Sequence, residues 1–405
     1  MRSNTCLSGS RRATRIDFFL TLTVCLLLGT VQAQTFTVLR AFKGTPDGRG
    51  PNGVILDSSG SSYGTTYSAG VRYKGIAFKI SPEGKETILY NFLAGHGANP
   101  DSTLVQDANG ALYGTTQRGG AYNGGAVFRL DDKGRETVLY SFVGGADGAW
   151  PNAVIRSADG TIYGTTENGG NTGCEFNWGC GTVFKLSPAG KKTTLYTFSG
   201  GTDGAYPGGG LVQDSAGNLY GVTWGGGDVN CNNGYGCGTV FEVDTAGTET
   251  VLHTFIGGND GTWPVGLTRD QEGNFYGATS GGGTFNNGTV FKLHASGQET
   301  VLYSFTGGAD GSQPGAGVVL DASGNIYGST LSGGAGSCYC GVAFVLDTSG
   351  KETVLHSFTR GGDGAGPGAL VLDAARNIYG TAGGGGDLSC GYNGQGCGTV
   401  FKITR

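Results

Sequence analysis

Short apolar runs rich in Val, Ile, Leu, Tyr, Phe and Thr recur from residue 35 to the end of the chain, separated by clusters of Gly, Asp, Asn and Pro. Runs bounded this way predict β-strands and tight turns, and no stretch carries a helical 3.6-residue period. Between residues 152 and 198 they form a set of four: Asn152–Ser157, Thr161–Thr166, Gly181–Leu186 and Lys192–Phe198. The set repeats. Glu-Thr-Val-Leu-Tyr-Ser-Phe stands at 136–142 and 299–305, close variants stand at 86–92, 192–198, 249–255 and 352–358, and Thr35–Phe42 is a degenerate first copy. A Tyr-Gly pair recurs at Tyr63, Tyr113, Tyr163, Tyr220, Tyr276, Tyr327 and Tyr379, at spacings of 50, 50, 57, 56, 51 and 52 residues.

Seven copies of a four-stranded unit predict an all-β, seven-bladed propeller of antiparallel blades. A lone blade cannot bury both faces, whereas a closed ring leaves no end face bare. Counted from the run after each Asp-Gly-x-x-Pro loop, the blades start near 52, 102, 152, 209, 265, 316 and 368. The last then holds only three strands. The missing one is Thr35–Phe42, expected to pair with 398–403 and close the ring at residues 34–405.

Residues 1–33 have the pattern of a secretory signal: Arg2, Arg11, Arg12 and Arg15, an apolar stretch Phe18–Val31, and a cut expected near Ala33. That stretch is short for a membrane span, and no later one is long enough. The expected location is secreted or periplasmic, with no span in the mature chain. Its removal takes away four Arg and one Asp, moving the formal charge from −5 to −8. The lack of a remaining basic cluster argues against nucleic acid or an anionic membrane as a partner. The 83 glycines fall at fixed offsets between the runs and act as turn punctuation.

The full repeat reads Asp-Gly-x-x-Pro, Asp-x-x-Gly-Asn-x-Tyr-Gly-Thr-Thr, Gly-Gly, Gly-Thr-Val-Phe-Lys-Leu and Glu-Thr-Val-Leu-Tyr-Ser-Phe. It resembles the GloVer repeats of secreted bacterial proteins across essentially residues 35–405. The resemblance implies a modular exported or surface protein and no assigned activity. Members carry C-terminal anchors, whereas this sequence stops at Arg405 just after the last strand, which puts surface retention in question.

Asp-x-x-Gly-Asn, as at Asp214–Asn218 and Asp321–Asn325, is hairpin chemistry in preference to a metal loop. Asp47, Asp147, Asp203, Asp260, Asp310 and Asp363, with His96 in the second copy, head the Asp-Gly-x-x-Pro loops. A local turn is the favoured role, and a ring of carboxylates for a cation or sugar is the alternative. Eight cysteines follow the signal as close pairs, Cys174/Cys180, Cys231/Cys237, Cys338/Cys340 and Cys390/Cys397. In an exported chain these predict local disulfides. The 338/340 ring is tight, and its state stays open. No metal site is expected, since no His stands beside any pair. His253 and His356 replace Tyr on the outermost strand, His294 is in a turn and His96 stands alone. No catalytic set and no cofactor site can be assembled.

In a propeller the links between second and third strands emerge on the same face as the links between blades. That face carries the length variation, the mature cysteines and all four Trp. Trp150, Tyr206 and Trp263 occupy equivalent places in successive Asp-Gly-x-x-Pro loops; Trp178 and Trp224 lie in the longer loops of blades 3 and 4. With Asp147, Asp203 and Asp260 they form the candidate ligand site, suited to sugar rings. Pinning of Gly-rich loops is the competing role for the rings. The expectation is a monomeric, non-enzymatic module that binds polysaccharide or another extracytoplasmic protein. A polysaccharide hydrolase or lyase is the alternative, set back because its acids should be unrepeated and near the channel, whereas the acids weighed above recur. A surface interaction component is the third.

Overall fold

The computed structural model describes residues 34–405 except 172, 175–177 and 392–393. Residues 1–33, where a secretory signal is expected, lie outside the described residues. Seven antiparallel sheets follow one another along the chain, each strand pairing with the next. Blade 3 is representative: Ala149–Arg156, Ile162–Asn168, Thr182–Leu186 and Lys192–Thr197. The first strand begins three residues before the sequence expectation. Ala149 pairs with Asn168 and Pro151 with Thr166 before a bulge between Pro151 and Val154, so the ladder continues through the proline. In blade 2 the first strand shrinks to Val105–Gln106. First strands are innermost: Ser102, Ala153, Gly209, Gly266, Gly317 and Ala369, from six blades, line one central cavity of about 420 Å³. No helix among the described residues is long and apolar enough to cross a membrane.

Phe pairs weld the blades. Each third strand carries a buried Phe (Phe78, Phe128, Phe184, Phe241, Phe291, Phe344, Phe401), and each outermost strand ends in another (Phe42, Phe92, Phe142, Phe198, Phe255, Phe305, Phe358). The second kind packs on the first kind of the next blade, with ring centroids 5.0–5.2 Å apart at all seven seams. These edge-on and tilted contacts suit aromatic quadrupoles. The same ring explains the Tyr-Gly pair. A Cβ on Gly221 would stand 2.6 Å from Phe241 Cζ, and one on Gly64 2.7 Å from Phe78 Cζ, so the strand needs a bare backbone there.

The seventh blade closes as expected. Thr35–Ala41 pairs antiparallel with Thr399–Thr404, Thr35 opposite Thr404 and Ala41 opposite Thr399. Phe42 thereby reaches Phe78 at the last seam.

Outside the Phe pairs each seam has a polar rim. The loop acid accepts the hydrogen bond that ends its own blade: Asp203 takes the Ser199 N–H (2.7 Å) and the Tyr196 hydroxyl (2.9 Å), Asp310 the Thr306 N–H (2.7 Å) and the Tyr303 hydroxyl (3.0 Å). Facing it is the first residue of the next blade's outermost strand. At one seam this is Lys192, 2.9 Å from Asp147. At another, Arg40 bonds both Asp47 and Glu86. His96, expected to stand alone, replaces the loop acid and meets Glu136 at 2.8 Å. Phe36 takes the facing position in blade 7, stacking on His356 at 3.6 Å. The remaining seams oppose two acids. Burial, and then Asp203, Asp260 and Asp310, push Glu249, Glu299 and Glu352 up to about 7.

Two outcomes are expected. A chain beginning at residue 45 loses the closing strand and melts at lower temperature. Phe42→Ala alone costs about 3–5 kcal/mol by denaturant unfolding; unchanged stability in both would refute closure by this strand. Glu249, Glu299 and Glu352 hold protons in the folded ring that the unfolded chain releases at its ordinary 4.5. Their stabilisation is therefore fully present below about 4.5 and lost as pH rises through about 7. The triple variant E249Q/E299Q/E352Q should flatten the fall of Tm across that window. A Tm profile parallel to the parent's would show that these glutamates do not set it.

Candidate functional site

The residue before the loop proline has a left-handed backbone in every blade: Gly50, Asn99, Trp150, Tyr206, Trp263, Gln313 and Gly366, with φ between 56° and 64°. Gly and Asn adopt that conformation at little cost. A bulky aromatic pays about 1–3 kcal/mol. Blades 3, 4 and 5 nonetheless carry Trp150, Tyr206 and Trp263.

The strain is held by the neighbouring blade. Tyr206 N–H donates to the Cys180 carbonyl at 2.8 Å and Trp263 N–H to the Cys237 carbonyl at 2.9 Å. Gly50 and Gly366 do the same to Cys397 and Cys340. In all four cases the acceptor is the second cysteine of a pair. The structure joins Cys174–Cys180, Cys231–Cys237, Cys338–Cys340 and Cys390–Cys397 as disulfides, with Cα–Cα separations of 5.3, 5.7, 5.2 and 5.5 Å. Each disulfide thus braces the carbonyl that fixes the next blade's left-handed residue.

All four tryptophans come together. Trp150 lies 5.6 Å from Trp178, and Trp224 stacks on Trp263 at 5.5 Å. Trp178 and Trp224 are 59% and 48% exposed. The Arg118 guanidinium sits over Trp150 at 5.6 Å. Trp178, Tyr206, Trp224 and Tyr235, with Asn152, Glu167 and Asn168, line a cavity of about 440 Å³. Trp150 and Trp263 back the exposed rings instead of lining it.

Asp147, Asp203 and Asp260 are not among the lining residues of this cavity. They are the rim acids of the seams: Asp147 accepts from Val143 N–H (2.9 Å) and Tyr140 (2.8 Å), and Asp260 from Ile256 N–H (2.7 Å) and His253 (3.1 Å).

Two other acids border the aromatic rings. Glu167 lines the aromatic cavity, and Asp101 lines the adjoining central cavity, which shares Asn152, Gly208 and Trp224 with it. Burial, then Glu167, pushes Asp101 up to about 6; burial also raises Glu167. The generalisation that the acids recur fails for these two. The equivalents of Asp101 are Asn52, Asn152, Gly208, Val265, Gly315 and Gly368, and those of Glu167 are Tyr67, Gln117, Trp224, Ser280, Leu331 and Gly383. Comparing the repeats column by column, instead of searching for motifs, would have exposed both acids.

Fold and site together define a seven-bladed propeller with a disulfide-braced aromatic face over blades 3 to 5. The Gloeobacter/Verrucomicrobia repeat model matches residues 29–234 and 229–405, and the chain belongs to that family. No curated protein matches. Among solved structures it is similar in fold to virginiamycin B lyase from Staphylococcus aureus, with TM-score 0.61 and 16% identity over 92% of this chain and all of that one. The extracellular domain of BT4673 from B. thetaiotaomicron aligns with TM-score 0.56 and 15% identity over 92% of this chain and 42% of that chain. A fungal alcohol oxidase of the AA5 family gives 0.57 and 14%, over 91% and 75%. Identities this low speak for the fold alone.

If the disulfides brace the rings, C231S/C237S should shift the tryptophan emission of the folded protein to the red by loosening Trp263 and its partner Trp224, and should cost roughly 2 kcal/mol of stability. An emission spectrum identical to the parent's would remove the brace.

Proposed function

We propose that the protein is an exported binding module whose blade 3–5 face takes carbohydrate, the sugar ring stacking on Trp178 and Trp224 and its hydroxyls reaching Asn152, Asn168 and Glu167. The observation that carries this reading is the run of three aromatic residues held in a left-handed conformation that Gly, Asn or Gln fills elsewhere in the ring. Loop pinning alone does not call for it, because blades 1 and 7 use Gly at the same place. Two exposed indoles beside amide and carboxylate groups suit a ligand with an apolar face and a hydroxylated edge. Four disulfides and the basic-then-apolar start of the chain support export. So does likeness in fold to an extracellular domain.

A second reading draws on Asp101 and Glu167, unrepeated carboxylates near the channel, as a polysaccharide hydrolase or lyase pair. Release of new reducing ends from a bound polysaccharide, abolished by Asp101→Asn, separates it from simple binding.

Because all four tryptophans belong to this face, intrinsic fluorescence reports on it directly. Glycan-array hits should perturb the emission. W178A and W224A should each weaken the same hits by roughly ten-fold or more. Hits bound with full affinity by both variants would end the aromatic reading.

A further inference from the structure

Among the described residues, the two cavities that meet at Trp224 hold two carboxylates and no balancing cation. Their linings contain Asp101 and Glu167 and no Lys, Arg or His. Neither acid is scaffold chemistry: no other blade has a charge in either column, and the turn and seam acids all lie elsewhere. Their placement carries a cost, because Glu167 opposes the ionisation of Asp101. Arg40 bridges the two acids of one polar seam, and three other seams leave their opposed acids to burial at the rim. Here Asp101 lines one cavity and Glu167 the adjoining one, each large enough for a sugar unit, and the exposed Trp224 lines both.

Aromatic walls with carboxylates behind them are a setting for an organic cation. An ammonium group is attracted to the face of an indole and gains further from nearby carboxylates. Neutral hydroxyls would satisfy one carboxylate but would not relieve the repulsion between two. Resting on the carbohydrate reading above, we propose that the ligand bears a protonated amine, as in a sugar of the glucosamine type, seated beside Trp224 between Asp101 and Glu167. The ring stacks on the indoles and the amine donates to the two acids.

The test uses the intact, oxidised protein and two probes of equal length, a hexamer of glucosamine and a hexamer of N-acetylglucosamine, followed by tryptophan fluorescence. Acetylation removes the charge and keeps the sugar. A charge-assisted contact should favour the free amine by roughly ten-fold or more. D101N and E167Q, which change charge and not shape, should each reduce that preference, costing the free-amine hexamer more affinity than the acetylated one. Equal affinity for both hexamers would overturn the amine assignment and leave the aromatic reading standing, as would a preference that survives D101N/E167Q. Binding of neither hexamer would also overturn it. The aromatic reading then falls separately, only if other array hits bind W178A and W224A with full affinity.

Discussion

Each blade of this ring is a small twisted sheet with two apolar faces, and neither face is buried until a neighbour covers it. The contact that covers them is a Phe at the end of one blade's outermost strand packed on a Phe at the centre of the next blade's third strand. Six such seams can form between consecutive blades. The seventh needs Phe42, which lies at the other end of the chain from the blade it completes. The closing strand is therefore part of the core as well as a cap on an exposed edge. The glycine of every Tyr-Gly pair follows from the same contact, since the central Phe ring occupies the space where a Cβ would stand.

The ring's rigidity permits strain elsewhere. Left-handed aromatic residues persist when the surroundings determine the backbone more strongly than local preference does. Here one hydrogen bond to the preceding blade and a short disulfide behind its acceptor do that work for Tyr206 and Trp263. Trp150 uses the Gly124 carbonyl without a disulfide. The result is a patch in which two indoles are presented to solvent while two more support them from beneath.

Three sets of acids in the chain have separate roles. Asp in Asp-x-x-Gly-Asn closes the first hairpin, as Asp214 does by accepting from the backbone of Ala216 and Asn218. Asp in Asp-Gly-x-x-Pro ends one blade and faces the next, and its partner across the seam is a cation, a carboxyl group or an aromatic ring according to the blade. Asp101 and Glu167 belong to neither group. They are near the aromatic face because they lie next to the innermost strands where blades 2 and 3 approach blade 4.

Architecture was legible in the amino-acid sequence because it is written seven times. Strand length, turn residues and the apolar positions recur, so errors in one copy are corrected by the others, and the orphan strand at Thr35–Phe42 reveals closure by counting. The cysteine pairs and the aromatic loops could be read for a similar reason, since each stands at a fixed place in its repeat. The site itself was only half visible. Asp147, Asp203 and Asp260 are neighbours of the tryptophans along the chain, but their carboxylates turn to the rim, because the turn's own N–H groups and the outer-strand Tyr140, Tyr196 and His253 claim them. Asp101, Glu167 and Tyr235 come from three blades and meet the indoles only once the ring has closed. Sequence spacing carries no record of which residues of different blades share a cavity. That is decided by the angle between blades, and the Phe seams set that angle only in the folded ring.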